Sequence, residues 1–252
     1  KRIRERFRAD TGNIIAGIGD DCAVLSPGSR SLLLTTDMMT EGVHFDLGIS
    51  TYFQLGFKIV SVNVSDIYAM GGRPRYVLLD LAAGEDMDEE SLECFFDGLQ
   101  AAMNHYHIKL IGGDLSSSKQ GMTLSATLIG DVRRPVLRSG AEPGDRIYVT
   151  GNMGDSACGL ELLRKIRRPV SIEQGDSLDK PLKWSAMEPL IRRHLLPEAR
   201  RPGRAGRVAS AMIDVSDGLS LDLAHVAEES RCGALVRTGA VPVAEAAVRL
   251  AA

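Results

Sequence analysis

SLLLTTDMM, residues 31–39, is an apolar run long enough for a buried strand that breaks off in Thr-Thr-Asp, so the strand ends by presenting a polar turn with a carboxylate. Outward from it the pattern changes period. Leu55, Ile59 and Val62 recur at helical spacing between Tyr52 and Ala69, and Gly71 and Gly72 stop that helix. RYVLLDLAA (75–83) reads as a strand, and DEESLECFFDGLQAAMNHY (88–106) as an amphipathic helix with acidic residues in its first turn, where the helix dipole favours them. IKLIGGD (108–114) is a short strand running into a glycine turn. GMTLSATLIGDV (121–132) alternates Met122, Leu124, Ala126 and Leu128 at period two, a strand with one buried face. Strands alternating with helices predict an α/β or α+β sheet protein.

SGAEPGD (139–145) is the best linker, because a new strand–helix pattern begins after it with RIYVTG (146–151) and DSACGLELLRKI (155–166). Two domains are therefore expected, residues 1–139 and 140–252. Residues 167–206 are rich in Arg and Pro and read as surface connections around one short helix, with Trp184 and Met187 touching the core. ASAMIDVSDGLSLDLAHVAEES (209–230) is again a strand, an acidic turn and a helix with Leu219, Leu223 and Val226 on one face. The fragment VSD occurs at 64–66 and 215–217, too little to establish a repeat.

A length of 252 residues suits two domains with their own cores, and 44% hydrophobic with 25% charged residues is ordinary globular composition. The net charge of −3 offers no broad basic field for nucleic acid and points to small ligands. Cys22, Cys94, Cys158 and Cys232 are widely spaced and lack zinc-like pairing, so reduced thiols are expected. With no membrane-length apolar run and no secretory leader, a cytoplasmic protein is expected. KRIRERFRAD (1–10) reads as a solvated helix face, and its lack of an initiator Met points to an N-terminus lying upstream.

GIGDDCAVL (17–25) places Asp20 and Asp21 side by side, but neighbouring side chains of an extended segment face opposite ways, so the two do not form an acid/base dyad. Four more acidic turns share its character: TTDMMTEGVHF (35–45), VNVSDIYAMGG (62–72), IGGDLSS (111–117) and IDVSDG (213–218). They place Asp37, Asp66, Asp114, Asp214 and Asp217 at the polar ends of apolar elements, where sites commonly assemble. Taken singly, each is as readily an Asx-turn or a helix cap as a ligand. Taken together, converging carboxylates repel one another unless a cation sits between them, and aspartates with Ser and Thr hydroxyls suit magnesium rather than zinc. No G-x-x-x-x-G-K-[ST] stretch exists, which excludes a P-loop. Arg138 beside the linker is the candidate cation for a phosphate, with a plain surface arginine as its alternative.

These motifs, with RSGAEPGD (138–145) and TGNMGDSACGLELL (150–163), resemble in order and over nearly the whole chain the thiamine-monophosphate kinase family, within the ATP-dependent enzymes related to aminoimidazole ribonucleotide synthetase. The resemblance implies an N-terminal mixed sheet with helices that binds ATP and magnesium and forms a homodimer, followed by a C-terminal α+β domain. It implies transfer of the γ-phosphoryl group of ATP to thiamine monophosphate, giving thiamine diphosphate, with several magnesium ions held by Asp21, Thr35, Thr36, Asp37, Asp66, Asp114, Asp214 and Asp217. ATP would contact Tyr106, Gly113, Asp114, Arg138 and Ser216, and thiamine monophosphate His44, with no nucleic acid or membrane partner. No general base is assigned, because the accepting phosphate oxygen has low proton affinity. Asp20 is expected to support the turn that carries Asp21. The family continues with a GGEDYEL-like motif and a later aromatic residue, and the present sequence stops at Ala252 without either, so the C-terminal domain is expected to be incomplete there. Relatives that mature hydrogenases or form selenophosphate share the aspartate turns and give an alternative acceptor. A nucleotide- or metal-binding module without turnover is the non-enzymatic alternative.

Overall fold

The computed structural model describes residues 14–16, 20–26, 28, 30–178 and 183–251, so the basic stretch at 1–10 and Gly17, Ile18 and Gly19 of the first acidic motif lie outside the described residues. Six strands, β1 (Ile14–Ala16), β2 (Ala23–Leu25), β3 (Ser31–Thr40), β4 (Arg73–Ala83), β5 (Lys109–Ser117) and β6 (Thr123–Val132), form one sheet in the order β1-β2-β3-β6-β4-β5. The β4–β5 pair is parallel and the other pairings are antiparallel.

The helix α1 (Tyr52–Ala69) lies on one face of this sheet, and α2 (Glu89–Tyr106) packs along α1 and sends its apolar side chains into the same core. The alternation along each strand sends Leu33 and Met39, Val77, Leu79 and Leu81, and Leu124, Ala126 and Leu128 into the core beneath them. Each of these buried Leu, Val and Met side chains contributes about 1.5–3 kcal/mol of hydrophobic stabilisation. α1 begins in a reciprocal capping box between Thr51 and Gln54, and α2 begins with Asp88 accepting the Ser91 N–H. The two helices approach so closely that glycine is required where they touch. A Cβ on Gly98 would lie 1.8 Å from the Phe53 carbonyl oxygen, and one on Gly56 would lie 2.1 Å from that of Phe95. The opposite face of the sheet leaves Leu32, Met38 and Tyr76 exposed, and every residue of β5 is exposed.

The C-terminal half is helical among the described residues: α3 (Asp155–Ile166), α4 (Trp184–Leu195), α5 (Ala205–Val208), α6 (Leu219–Ser230) and α7 (Glu245–Ala251). Leu162, Leu163, Met187, Leu190, Ile191 and Leu195 form a second apolar core, with Trp184 packed against it. Gln54 ties the two halves together, donating to the Val170 carbonyl at 2.7 Å and to Glu173 at 3.0 Å. The strands expected at 146–151 and 209–213 do not form. Met212 makes one backbone bond, to Leu137, and Ile147 and Tyr148 stay exposed, so neither stretch belongs to a ladder. A strand exists through its neighbours, and apolar alternation without a partner yields only extended chain. No helix among the described residues is long and apolar enough to cross a membrane. All four cysteines are free thiols.

Candidate active site

Three segments far apart in sequence meet at the end of α1. Asp66 lies in its last turn, Asp21 in the chain just before β2, and Asp214 in the segment leading to α6. One carboxylate oxygen from each lies within 4.8 Å of the others. Thr35 on β3 donates its hydroxyl to Asp66, and Ser65 lies close enough to Asp214 to lower its pKa against the pull of burial. Asp37 follows Thr35 by two residues, on the same face of β3, close enough for its charge to act on Asp66.

The electrostatics mark this as a place short of positive charge. Burial pushes the Asp66 carboxyl up to about 8, and the negative charge of Asp37 adds to the shift while the Thr35 hydrogen bond opposes it. Asp214 is also raised, first by burial and then by the charge of Asp21. Burial raises Asp37 too, against the pull of His44. Among the described residues, carboxylates and hydroxyls supply the donors, a set that fits a hard divalent cation such as magnesium and not zinc.

Arg138 supplies the counter-charge from the segment between the two halves. Its Nη2 donates to Asp21 Oδ1 at 2.8 Å and its Nε to Oδ2 at 3.3 Å, while its backbone N–H points to the Asp20 carboxylate. Burial alone would lower its pKa, but the hydrogen bond and charge of Asp21, with Asp20 and Asp214 beyond, raise it. Ser230 at the end of α6 holds this segment, donating to the Arg138 carbonyl and accepting the Ala141 N–H. Asp20 accepts the N–H groups of both Asp21 and Arg138, and so braces the turn. Cys22 is 2% exposed, and burial together with the charges of Asp66 and Asp21 drives its thiol far up, so it packs rather than reacts.

Residues 19–132 match the family model described as AIR synthase related protein, N-terminal domain, and residues 142–251 match its C-terminal domain. The thiamine-monophosphate kinase of Salmonella typhimurium is 42% identical over 251 residues, 98% of this chain and 73% of its own. The chain belongs to the thiamine-monophosphate kinase family. The structure of AaThiL complexed with AMPPCP and TMP superimposes with a TM-score of 0.85 at 33% identity, over 99% of this chain and 74% of that one. The thiamine-monophosphate kinase of Stenotrophomonas maltophilia K279a gives 0.77 at 34% identity, over 97% and 74%. The two matched segments meet across residues 133–141, the stretch that carries Arg138.

The other residues that the thiamine-monophosphate kinase resemblance names stand apart from the three carboxylates. Thr36 faces the opposite side of β3, where it bonds to Ala126 and Thr127. Asp114 is exposed on β5 opposite Asp80, with β6 and β4 between its strand and β3. Gly113 precedes it, and a Cβ there would sit 1.7 Å from the Leu79 carbonyl oxygen. Tyr106 is turned into the core at 7% exposure, its hydroxyl paired with Ser61 at 2.6 Å and accepting the Ala199 N–H at 2.8 Å. His44 is exposed and accepts the Thr40 N–H on Nδ1. Ser216 and Asp217 are exposed in the turn before α6. Sequence reading passed over Ser65 and Asp222. The signal for the first lies in VSD itself, and for the second in a carboxylate set among the leucines of SLDL.

Proposed function

We propose that this protein transfers the γ-phosphoryl group of ATP to the phosphate of thiamine monophosphate, giving thiamine diphosphate and ADP in the cytoplasm. The observation that carries the reading is the convergence of Asp21, Asp66 and Asp214 within 4.8 Å in a chain 42% identical to a thiamine-monophosphate kinase. The bond from the γ-phosphorus to the bridging oxygen breaks, ADP leaves with that oxygen, and an oxygen of the acceptor phosphate forms the new bond. Because that oxygen is already ionised, alignment and charge neutralisation are the protein's main tasks. Magnesium, when bound, would screen the phosphates and stabilise charge on the transferring group. Asp21, Asp66 and Asp214 would hold it, with Asp37 and Thr35 beside them and Asp217 on the turn of Asp214, while Thr36 and Asp114, which stand apart, would serve only a further ion. A cation held by Asp21 would release Arg138 from it, and the forked guanidinium would then be able to grip a nucleotide phosphate. Solvent-facing Gly113, Ser216 and His44 are accessible to ATP and thiamine monophosphate, whereas Tyr106 reaches nucleotide only by giving up its core bonds. The functional division falls at 139/140, with nucleotide held between the halves.

We also infer a homodimer through the N-terminal half. It is supported by the uncovered sheet face and by β5, where Ile111 is 53% and Leu115 61% exposed. Light scattering should give twice the chain mass, and Leu115→Lys should give monomers; a monomeric wild type sinks the inference. The test of function is product formation from ATP, magnesium and either thiamine monophosphate or thiamine. Thiamine diphosphate from the monophosphate alone, matched by ADP, is expected, and magnesium-dependent ATP binding without product would refute the kinase reading.

A further inference from the structure

Asp222 is the one buried residue of α6 among those described, at 3% exposure, on a helix whose apolar residues Leu219, Leu223 and Val226 are only partly buried. A carboxylate is an expensive group to bury, and here it is fully employed. Side chains of a helix lean toward its N-terminus, and that of Asp222 reaches back over the first turn. Its Oδ2 accepts the N–H groups of Ser216 at 3.1 Å, Asp217 at 3.2 Å and Gly218 at 3.0 Å. The backbone closes the same turn from the other side, with the Asp222 N–H donating to the Gly218 carbonyl at 3.0 Å.

We propose that Asp222 is a positioning residue that shapes the 214–218 turn so that Asp214 and Asp217 are presented to a divalent cation. The proposal rests on the kinase reading for its reaction, but its geometry stands independently. Three consecutive N–H groups that converge on one carboxylate oxygen are no longer available to an anion. The start of α6 therefore does not cradle phosphate through its backbone. It offers carboxylate and hydroxyl side chains, which is the chemistry of a cation site. Asp222 also lies close enough to Asp214 for its charge to act there, adding to the field that draws a cation in.

The test uses the full chain with Mn2+ as the probe, comparing wild type with Asp222→Ala and Asp222→Asn. Loss of an outer support of a metal ligand costs about 10- to 100-fold in metal affinity. Asp222→Ala should fall in that range, with faster amide hydrogen exchange at 216–218 and an unchanged KM for thiamine monophosphate. Asp222→Asn keeps an acceptor oxygen without the charge, so it should recover most of the affinity. Wild-type Mn2+ affinity in Asp222→Ala overturns the proposal, and so does equal loss in both variants, which would make charge alone responsible. Should Asp222→Ala fail to fold, Asp222→Asn decides: Mn2+ affinity within a few-fold of wild type, with wild-type exchange at 216–218, supports the role, and a loss of about 10-fold or more with exchange at 216–218 unchanged overturns it, because charge alone would then be responsible. Wild type that binds Mn2+ but makes no thiamine diphosphate refutes the kinase reading and leaves the turn to be judged by the titration.

Discussion

Replacing Asp66 by Asn should stabilise the metal-free protein while abolishing most turnover, because one carboxylate serves the cation at the expense of the empty fold. Burial and the charge of Asp37 hold the Asp66 carboxyl at about 8, against an ordinary 3.8. At about 1.4 kcal/mol per pH unit, full ionisation of that group without a cation costs up to about 6 kcal/mol. Solvent reorganisation around a partly exposed site brings the realised cost nearer about 2 kcal/mol. The folded pKa lies above the unfolded value, so the contribution of Asp66 is fully present below about pH 4 and is lost as pH rises through about 8. Asn does not ionise and still accepts from Thr35. In calorimetry with chelator, Asp66→Asn and wild type should therefore melt close together near pH 5, and the variant about 4–8 °C higher near pH 8. Magnesium should reverse the order by stabilising wild type more. Turnover should fall at least about 100-fold, since a few kcal/mol of charge stabilisation disappear. A folded variant with near-normal turnover, or a melting difference that ignores pH, would falsify this account.

Removing Arg138 tests the counter-charge. The Asp21 side chain is 0% exposed and paired with it, so Arg138→Ala should cost about 3 kcal/mol in chelator, read by urea unfolding, and magnesium should restore part of that. Its KM for ATP should rise more than that for thiamine monophosphate, and equal rises would argue against a nucleotide role. Gly98→Ala drives a Cβ into the Phe53 carbonyl, and a backbone atom cannot give way as a side chain would. A loss of about 3 kcal/mol and about 6–12 °C in Tm is expected, with wild-type stability refuting the close helix contact.

Elements with their own local signals were legible. The helices at 52–69 and 89–106 announce themselves by caps and period, and the strand at 123–132 by alternation, whereas the strand at 31–40 shows its apolar start but runs on through Thr35, Thr36 and Asp37, where a polar turn was expected, because its pairing with β6 continues to Thr40. The stretches at 146–151 and 209–213 carry comparable apolar runs and form no ladder, because a strand depends on a partner that local sequence does not specify. The turn aspartates were visible as candidates, yet the same kind of residue ends up in different places. Asp66 and Asp214 converge, while Asp114 rides an exposed edge strand on the far side of the sheet. Tyr106 likewise turns inward for reasons that lie in Ser61 and Ala199, distant in the chain.

By itself the sequence determined the two long helices, the apolar strands of the sheet, the acidic motifs and the resemblance those motifs carry, since propensity, capping and periodicity act within a few residues. Only the tertiary structure decided that Asp21, Asp66 and Asp214 converge, that Arg138 pairs with Asp21 and that Asp222 accepts the N–H groups of the turn beside Asp214. Those contacts join groups brought together by sheet order and helix packing, and desolvation and charge repulsion have no value until the distances between the groups are set.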